Sequence, residues 1–144
     1  MIYTALTKKA MKVAYEAHHG QTDRSGTPYI FHPFYVAEQM DDEISVCAAL
    51  LHDVVEDTEI TFEDLEKDFP EEVVEALRFL TRDKSMNYIR NLRKNPIAKK
   101  VKQADLLHNS DVTRLTDCEN ISARQISRLH GRYKRALEIL QETF

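Results

Sequence analysis

Residues 44–57 read Ile44-Ser45-Val46-Cys47-Ala48-Ala49-Leu50-Leu51-His52-Asp53-Val54-Val55-Glu56-Asp57. From Ile44 to Val55 the run is almost unbrokenly apolar, with polar residues gathered at its end, which predicts a buried central helix. Residues three and four apart share a helix face, so Glu56 is expected beneath both His52 and Asp53, and Asp57 beneath Asp53. Four ionisable groups in six residues at the end of a core helix are costly to bury unless a cation or other partners compensate. Two readings fit: a helix that leaves the core and turns polar, or a divalent metal site.

Helix signals extend outward in both directions. Thr4 to His18 carries Leu6, Ala10, Val13, Ala14 and Ala17 on a stripe of period 3.6, with Gly20 as its αL cap. Residues 21–29 are rich in turn formers and are expected as an ordered loop. Pro33 is expected to open a helix reaching about Met40. Thr61 is an N-cap followed by first-turn acids, and Pro70 starts a helix to about Leu80. Ser85–Lys94 and Ile97–Leu107 are expected as helices divided at Asn95-Pro96. Ser122–Phe144 is the last, with Ile126, Leu129, Tyr133, Leu137 and Leu140 on one face. No convincing strand alternation or internal repeat is present. The expectation is all-α: a single domain over residues 1–144, a compact bundle of about seven helices. Its motifs occupy about 4–116 and its C-terminal helix about 122–144.

Composition agrees. A chain of 144 residues suits one domain and buries about two-thirds of its unfolded surface. With 42% hydrophobic residues, three glycines and four prolines, it is neither disordered nor a turn-rich all-β fold. Cys47 and Cys118 make no paired metal motif and no disulfide framework, and Cys47 is expected as a buried thiol. Without a signal-peptide core or a stretch approaching ~20 apolar residues, a cytoplasmic protein with no membrane partner is expected. Charge is unevenly spread: residues 38–75 hold fifteen acids against Lys67 alone, residues 78–109 nine bases against two acids. A net charge of −4 disfavours duplex nucleic acid as a partner. The asymmetry suits a metal site facing a small anionic ligand, and equally two solvated helix faces.

Two more segments carry candidate chemistry. In Lys102-Gln103-Ala104-Asp105-Leu106-Leu107-His108-Asn109, the spacing turns Asp105, His108 and Asn109 to one face. Asp105 there is either a carboxylate closing a metal site begun by His52-Asp53 or part of a satisfied polar cluster. In Gly20-Gln21-Thr22-Asp23-Arg24-Ser25-Gly26-Thr27-Pro28-Tyr29-Ile30-Phe31-His32-Pro33, His32 precedes a proline-started helix and is free to ligate or to serve structurally. Arg24 and Ser25 lie in a glycine-bounded loop suited to a phosphate or a base. There is no P-loop, dinucleotide fingerprint, CxxC pair or nucleophile elbow. His18, His19 and His130 are expected at the surface or in packing, and the basic final helix as a solvated face.

Together, His32…His52-Asp53…Asp105 resembles the HD-domain metal-dependent phosphohydrolases. It is more closely similar to the hydrolase domain of the RelA/SpoT-type stringent-response enzymes, which remove the 3′-pyrophosphate of (p)ppGpp. The resemblance rests on the Gly-Gln…Ser-Gly-x-Pro-Tyr-Ile-x-His-Pro loop, the Leu-Leu-His-Asp-Val-Val-Glu-Asp-Thr helix and the Lys-x-x-Asp-x-x-His-Asn segment. It implies His32, His52, Asp53 and Asp105 as ligands of one Mn²⁺, with Fe²⁺ or Zn²⁺ also compatible with such donors. It implies Glu56 and Asp57 as the pair that positions and deprotonates the attacking water. Arg24, Ser25, Lys102 and Asn109 then match nucleotide- or phosphate-contacting positions. With 144 residues there is no room for the family's synthetase or regulatory domains, so a stand-alone small alarmone hydrolase is expected, its oligomeric state left open.

Two departures stand out. The family's adjacent basic pair in the first loop is here Asp23-Arg24, and Asp23 is expected to oppose an anionic substrate. The third segment lacks two of the family's arginines, having Leu106 and Asp111 instead. Other readings are an HD phosphatase of another nucleotide, such as a nicotinamide dinucleotide phosphate, and a non-catalytic nucleotide-binding module. Intact Glu56-Asp57 speaks against the last.

Overall fold

The apolar run at the centre of the sequence is the centre of the molecule. A computed structural model describes residues 1–81, 87–115 and 121–142. Among these residues nine α-helices follow one another: α1 (Ala5–Ala17), α2 (Phe31–Glu38), α3 (Glu43–Leu51), α4 (Val54–Asp57), α5 (Phe62–Glu66), α6 (Glu71–Leu80), α7 (Tyr88–Leu92), α8 (Pro96–Asn109) and α9 (Ala123–Gln141). A 3₁₀ turn covers Val112–Leu115, and the extended pairing among these residues is the single bridge Thr22–Pro28. The all-α expectation holds. The helix count exceeds seven because several elements are only one turn long.

α3 is buried from Ser45 to Leu51 and packs against α1, α2, α6 and α8. Burying Leu50 and Leu51 completely contributes about 1.5–3 kcal/mol each. On α1 the facing residues are Ala10 and Ala14, small enough to admit the central helix closely. The same core continues through Val73 and Leu77 of α6 and Val101 of α8 to Leu140 of α9. Helix starts carry the side chains that satisfy their open N–H groups. Thr4 and Thr7, Thr61 and Asp64, and Ser122 and Gln125 form capping boxes. Asn95 caps α8 ahead of Pro96, as its sequence predicts.

Three expectations shift by a few residues. α2 begins at Phe31 rather than Pro33, which occupies the third helical position, where a missing N–H costs nothing. The helix expected over Ser85–Lys94 is Tyr88–Leu92 among the described residues; Ser85 lies outside them, as do Thr116, Cys118 and Phe144. The helix expected through Val55 stops at Leu51. His52 donates Nδ1–H to Ala49 O at 2.6 Å, taking the carbonyl that the Asp53 N–H would bond in a continuing helix. Asp53 then sits at φ −108°, ψ 0°, a sparsely populated conformation frequent at functional sites, and α4 restarts after it.

Cys47 is buried, and burial foremost, with the Glu43 charge, pushes its thiol up to about 12, as suits an inert packing residue. Among the described residues no helix is long and apolar enough to cross a membrane.

Candidate functional site

The break after α3 turns the His52 ring inward. Because a carbonyl can only accept, the bond from Nδ1 to Ala49 O fixes a hydrogen on Nδ1 and leaves Nε2 as the nitrogen that takes either a proton or a metal ion. Nε2 is buried, stands 3.0 Å from Asp53 Oδ2 and 3.5 Å from Asp105 Oδ1, and forms no hydrogen bond of acceptable geometry with either. Burial works against a charged imidazole, yet the Asp53 and Asp105 carboxylates hold its pKa well above the ordinary value. The cluster therefore demands a cation, which a proton or a divalent metal ion can supply.

α2 delivers His32 from the opposite side. Its ring, 3% exposed, places Nε2 2.8 Å from Asp105 Oδ1 and meets the His52 ring edge-on at 5.3 Å between centroids. The donor atoms of His32, His52 and Asp53 lie within 4.8 Å of one another, and Asp105 adjoins both rings. Asp53 remains ionised: burial would raise its carboxyl, but the neighbouring His52 lowers it to about 2. Tyr29 also donates its hydroxyl to Asp53 Oδ2. Asp105 is held well below the carboxylate range against its burial, chiefly by Lys102. Two imidazoles and two carboxylates, each partnered from behind, are a donor set that suits a divalent metal.

α8 supplies that backing, as the spacing of its residues predicts. Asn109 Nδ2 donates to Asp105 Oδ1 at 3.0 Å, and Lys102 Nζ to Asp105 Oδ2 at 2.9 Å. Lys102 is thus committed to Asp105, with the Tyr88 ring 5.5 Å from its ammonium, and is absent from the cleft lining described below. His108 stacks on Tyr35, 4.0 Å between centroids, and its Nδ1 stands 2.8 Å from Nδ1 of His32.

Glu56 and Asp57 are exposed on the short α4 and lie outside the donor cluster. The Asp57 N–H bonds Asp53 O at 3.0 Å, preserving the predicted relation between those two residues across the helix break. Burial, then the charges of Asp53 and Glu56, raise the Asp57 carboxyl above its ordinary value. His18, expected at the surface or in packing, is buried, and donates Nδ1–H to Gln21 Oε1 at 2.9 Å. Gln21 Nε2 donates on to Asp57 O at 3.2 Å, tying the loop to α4.

A cleft of about 290 Å³ opens beside His32, lined by Arg24, Ser25, Tyr29 and Asn109. The loop reverses through Gly26 at φ 83°, a conformation that favours glycine. Asp23 Oδ1 organises it by accepting from Ser25 N (2.9 Å), Ser25 Oγ (2.6 Å) and Thr27 N (3.0 Å). Its Oδ2 meets Arg114 Nη2 at 3.5 Å, so the carboxylate is neutralised where the sequence suggests a repulsive charge. Arg114 lines the same cleft, as do Leu129 and Tyr133 of α9, the helix expected as a solvated face. Sequence reasoning missed Tyr29, Arg114 and Tyr133. Tyr29 falls within a quoted motif and Tyr133 on the expected apolar face of the last helix; Arg114 carries no local signal.

Residues 10–129 match the HD-domain family. The chain is 38% identical over 140 residues to the guanosine-3′,5′-bis(diphosphate) 3′-pyrophosphohydrolase MESH1 of Danio rerio, covering 85% of this chain and 77% of that protein. It is 39% identical over 120 residues to the bifunctional (p)ppGpp synthase/hydrolase SpoT of Escherichia coli. It spans only 17% of SpoT and 8% of the chloroplastic putative GTP diphosphokinase RSH1 of Arabidopsis thaliana. A solved structure described as "A metazoan ortholog of SpoT hydrolyzes ppGpp and plays a role in starvation responses" superposes with a TM-score of 0.83 at 28% identity, covering 99% of this chain and 89% of that one.

Proposed function

This chain belongs to the HD-domain family, among relatives of the guanosine-3′,5′-bis(diphosphate) 3′-pyrophosphohydrolases, and on that premise we propose that it hydrolyses the 3′-pyrophosphate of (p)ppGpp. The products are GDP or GTP and pyrophosphate. Its substrate is a small nucleotide rather than a nucleic acid, it acts as one domain over residues 1–144, and it works in the cytoplasm.

The observation that carries this reading is the buried, unpartnered Nε2 of His52 facing the Asp53 and Asp105 carboxylates beside His32. His32, His52, Asp53 and Asp105 would hold one Mn²⁺, whose Lewis acidity polarises a phosphoryl oxygen and acidifies water. Glu56 and Asp57 orient the water and accept its proton, a task to which burial and the neighbouring Asp53 and Glu56 charges suit Asp57 by raising its carboxyl above the ordinary value. The water oxygen joins the phosphorus linked to the 3′ oxygen. The bond between that phosphorus and the 3′ oxygen breaks, and a proton ends on the ribose hydroxyl. Arg24, Ser25 and Asn109 contact the nucleotide from the cleft wall, while Lys102 supports the substrate side through Asp105.

The test is a chromatographic product assay on ppGpp with added Mn²⁺. GDP and pyrophosphate in equal amounts are expected. Stepwise inorganic phosphate, or inert ppGpp beside brisk turnover of a nicotinamide dinucleotide phosphate, would contradict the reading.

A further inference from the structure

An anionic substrate requires cations along the cleft, and the Lys102 ammonium is already bound to Asp105 at 2.9 Å. The cations lining the cleft among the described residues are Arg24 and Arg114. Arg114 stands on the 3₁₀ turn after α8 and is fixed from both walls. Its Nη1 donates to His108 O at 3.0 Å and Asn109 Oδ1 at 3.3 Å. Its Nη2 reaches Asp23 Oδ2 at 3.5 Å, across 91 positions of sequence. These bonds use three of the five N–H donors of a guanidinium, leaving Nε–H and one Nη2–H. The side chain is 24% exposed, in the same cleft as His32 and the Asp105 partner Asn109. A guanidinium held this firmly loses little side-chain entropy when an anion arrives, and its fork matches phosphate oxygens.

We propose that Arg114, positioned by Asp23, is a phosphate-binding residue of the cleft and grips a diphosphate group of the nucleotide. Asp23, the departure that reads as a repulsive charge in the sequence, then serves substrate binding by orienting a cation from another segment. The inference rests on the proposed function only for the identity of the nucleotide. The rival account is a purely structural clamp between the first loop and the end of α8.

The two accounts separate in the metal-loaded full chain. Calorimetry with inorganic pyrophosphate and with GDP is compared among wild type, Arg114→Gln, Arg114→Lys and Asp23→Asn. Melting temperature and Mn²⁺ content are followed in each. Arg114→Gln keeps an amide donor for His108 O but removes the charge. It is expected to weaken pyrophosphate binding about 10- to 100-fold, the loss of one charged hydrogen bond, with melting and metal content retained. Arg114→Lys should recover part of that affinity, and Asp23→Asn should lose less than Arg114→Gln. On ppGpp, KM should rise by a similar factor while kcat changes little. Unchanged pyrophosphate affinity in Arg114→Gln, no binding by wild type, or loss confined to melting and metal content would overturn the inference. Pyrophosphate binding that depends on Arg114 in a protein inert toward ppGpp would support it while overturning the proposed function.

Discussion

The rings of His32 and His108 lie parallel, 5° apart in plane and 5.0 Å between centroids, with Nδ1 2.8 Å from Nδ1. Burial foremost, with the charge of Arg114, lowers His108 to about 4, so its ring is neutral near pH 7. A neutral His108 can accept the Nδ1–H of His32, which leaves His32 Nε2 as the nitrogen turned to Asp105 and available to a metal. His108 is therefore assigned the backing that ligand histidines ordinarily receive. His108→Phe keeps a ring against Tyr35 but removes the acceptor. It should weaken Mn²⁺ binding by roughly 10–100-fold with little change in melting temperature. Wild-type metal affinity in this variant would refute the assignment.

Glu56 and Asp57 lie beside the donor cluster without belonging to it. Glu56→Gln should retain fold and Mn²⁺ while turnover falls by ~10²–10⁴, the range expected when general-base help is removed. Steady-state kinetics beside metal analysis decides it, and near-wild-type turnover would end the role.

The Asp57 carboxyl gives the pH dependence its sign. Burial and the charges of Asp53 and Glu56 raise it, and a base acts only when deprotonated. Activity should therefore fall with decreasing pH at a higher pH than for an ordinary exposed carboxylate, with Mn²⁺ occupancy constant over that range. An acid limb that follows metal loss instead would assign it to the ligands.

Much of the site was legible because its spacing is local. His52-Asp53 and Asp105…His108-Asn109 lie within single segments, and helical periodicity correctly turned Asn109 toward Asp105. Continuity through His52 was not legible, since it depends on a side chain claiming the Ala49 carbonyl. Nor was the Asp23–Arg114 contact, which joins a loop to a turn 91 positions away and leaves no trace in periodicity or capping. Lys102 looked like a substrate contact, although it stands three residues before Asp105 on α8 and directs its ammonium to that carboxylate.

Asp42 caps α3 and so supports the helix that carries His52. It accepts from Ser45 N at 2.8 Å and Ser45 Oγ at 2.9 Å, and pairs with Lys100 of α8 at 2.8 Å. Asp42→Ala should cost about 1–2 kcal/mol, mostly the lost cap, because the ion pair is solvent-screened. Partial burial would raise the Asp42 carboxyl, but Lys100 and Ser45 bring it from 3.8 to about 2. Its folded value is depressed, so its contribution is complete above about pH 4 and fades as pH falls toward about 2. Thermal melts of both proteins between these limits should converge; a gap that persists at the acid end would contradict the linkage.

Everything proposed for the site depends on His32, His52, Asp53 and Asp105 holding the metal. Titration of Mn²⁺ into wild type and His52→Ala, following the free-ion electron paramagnetic resonance signal, reads this directly. The prediction is one tightly bound equivalent per chain in wild type and none at the same concentrations in the folded variant. Equal binding by the two proteins would contradict it.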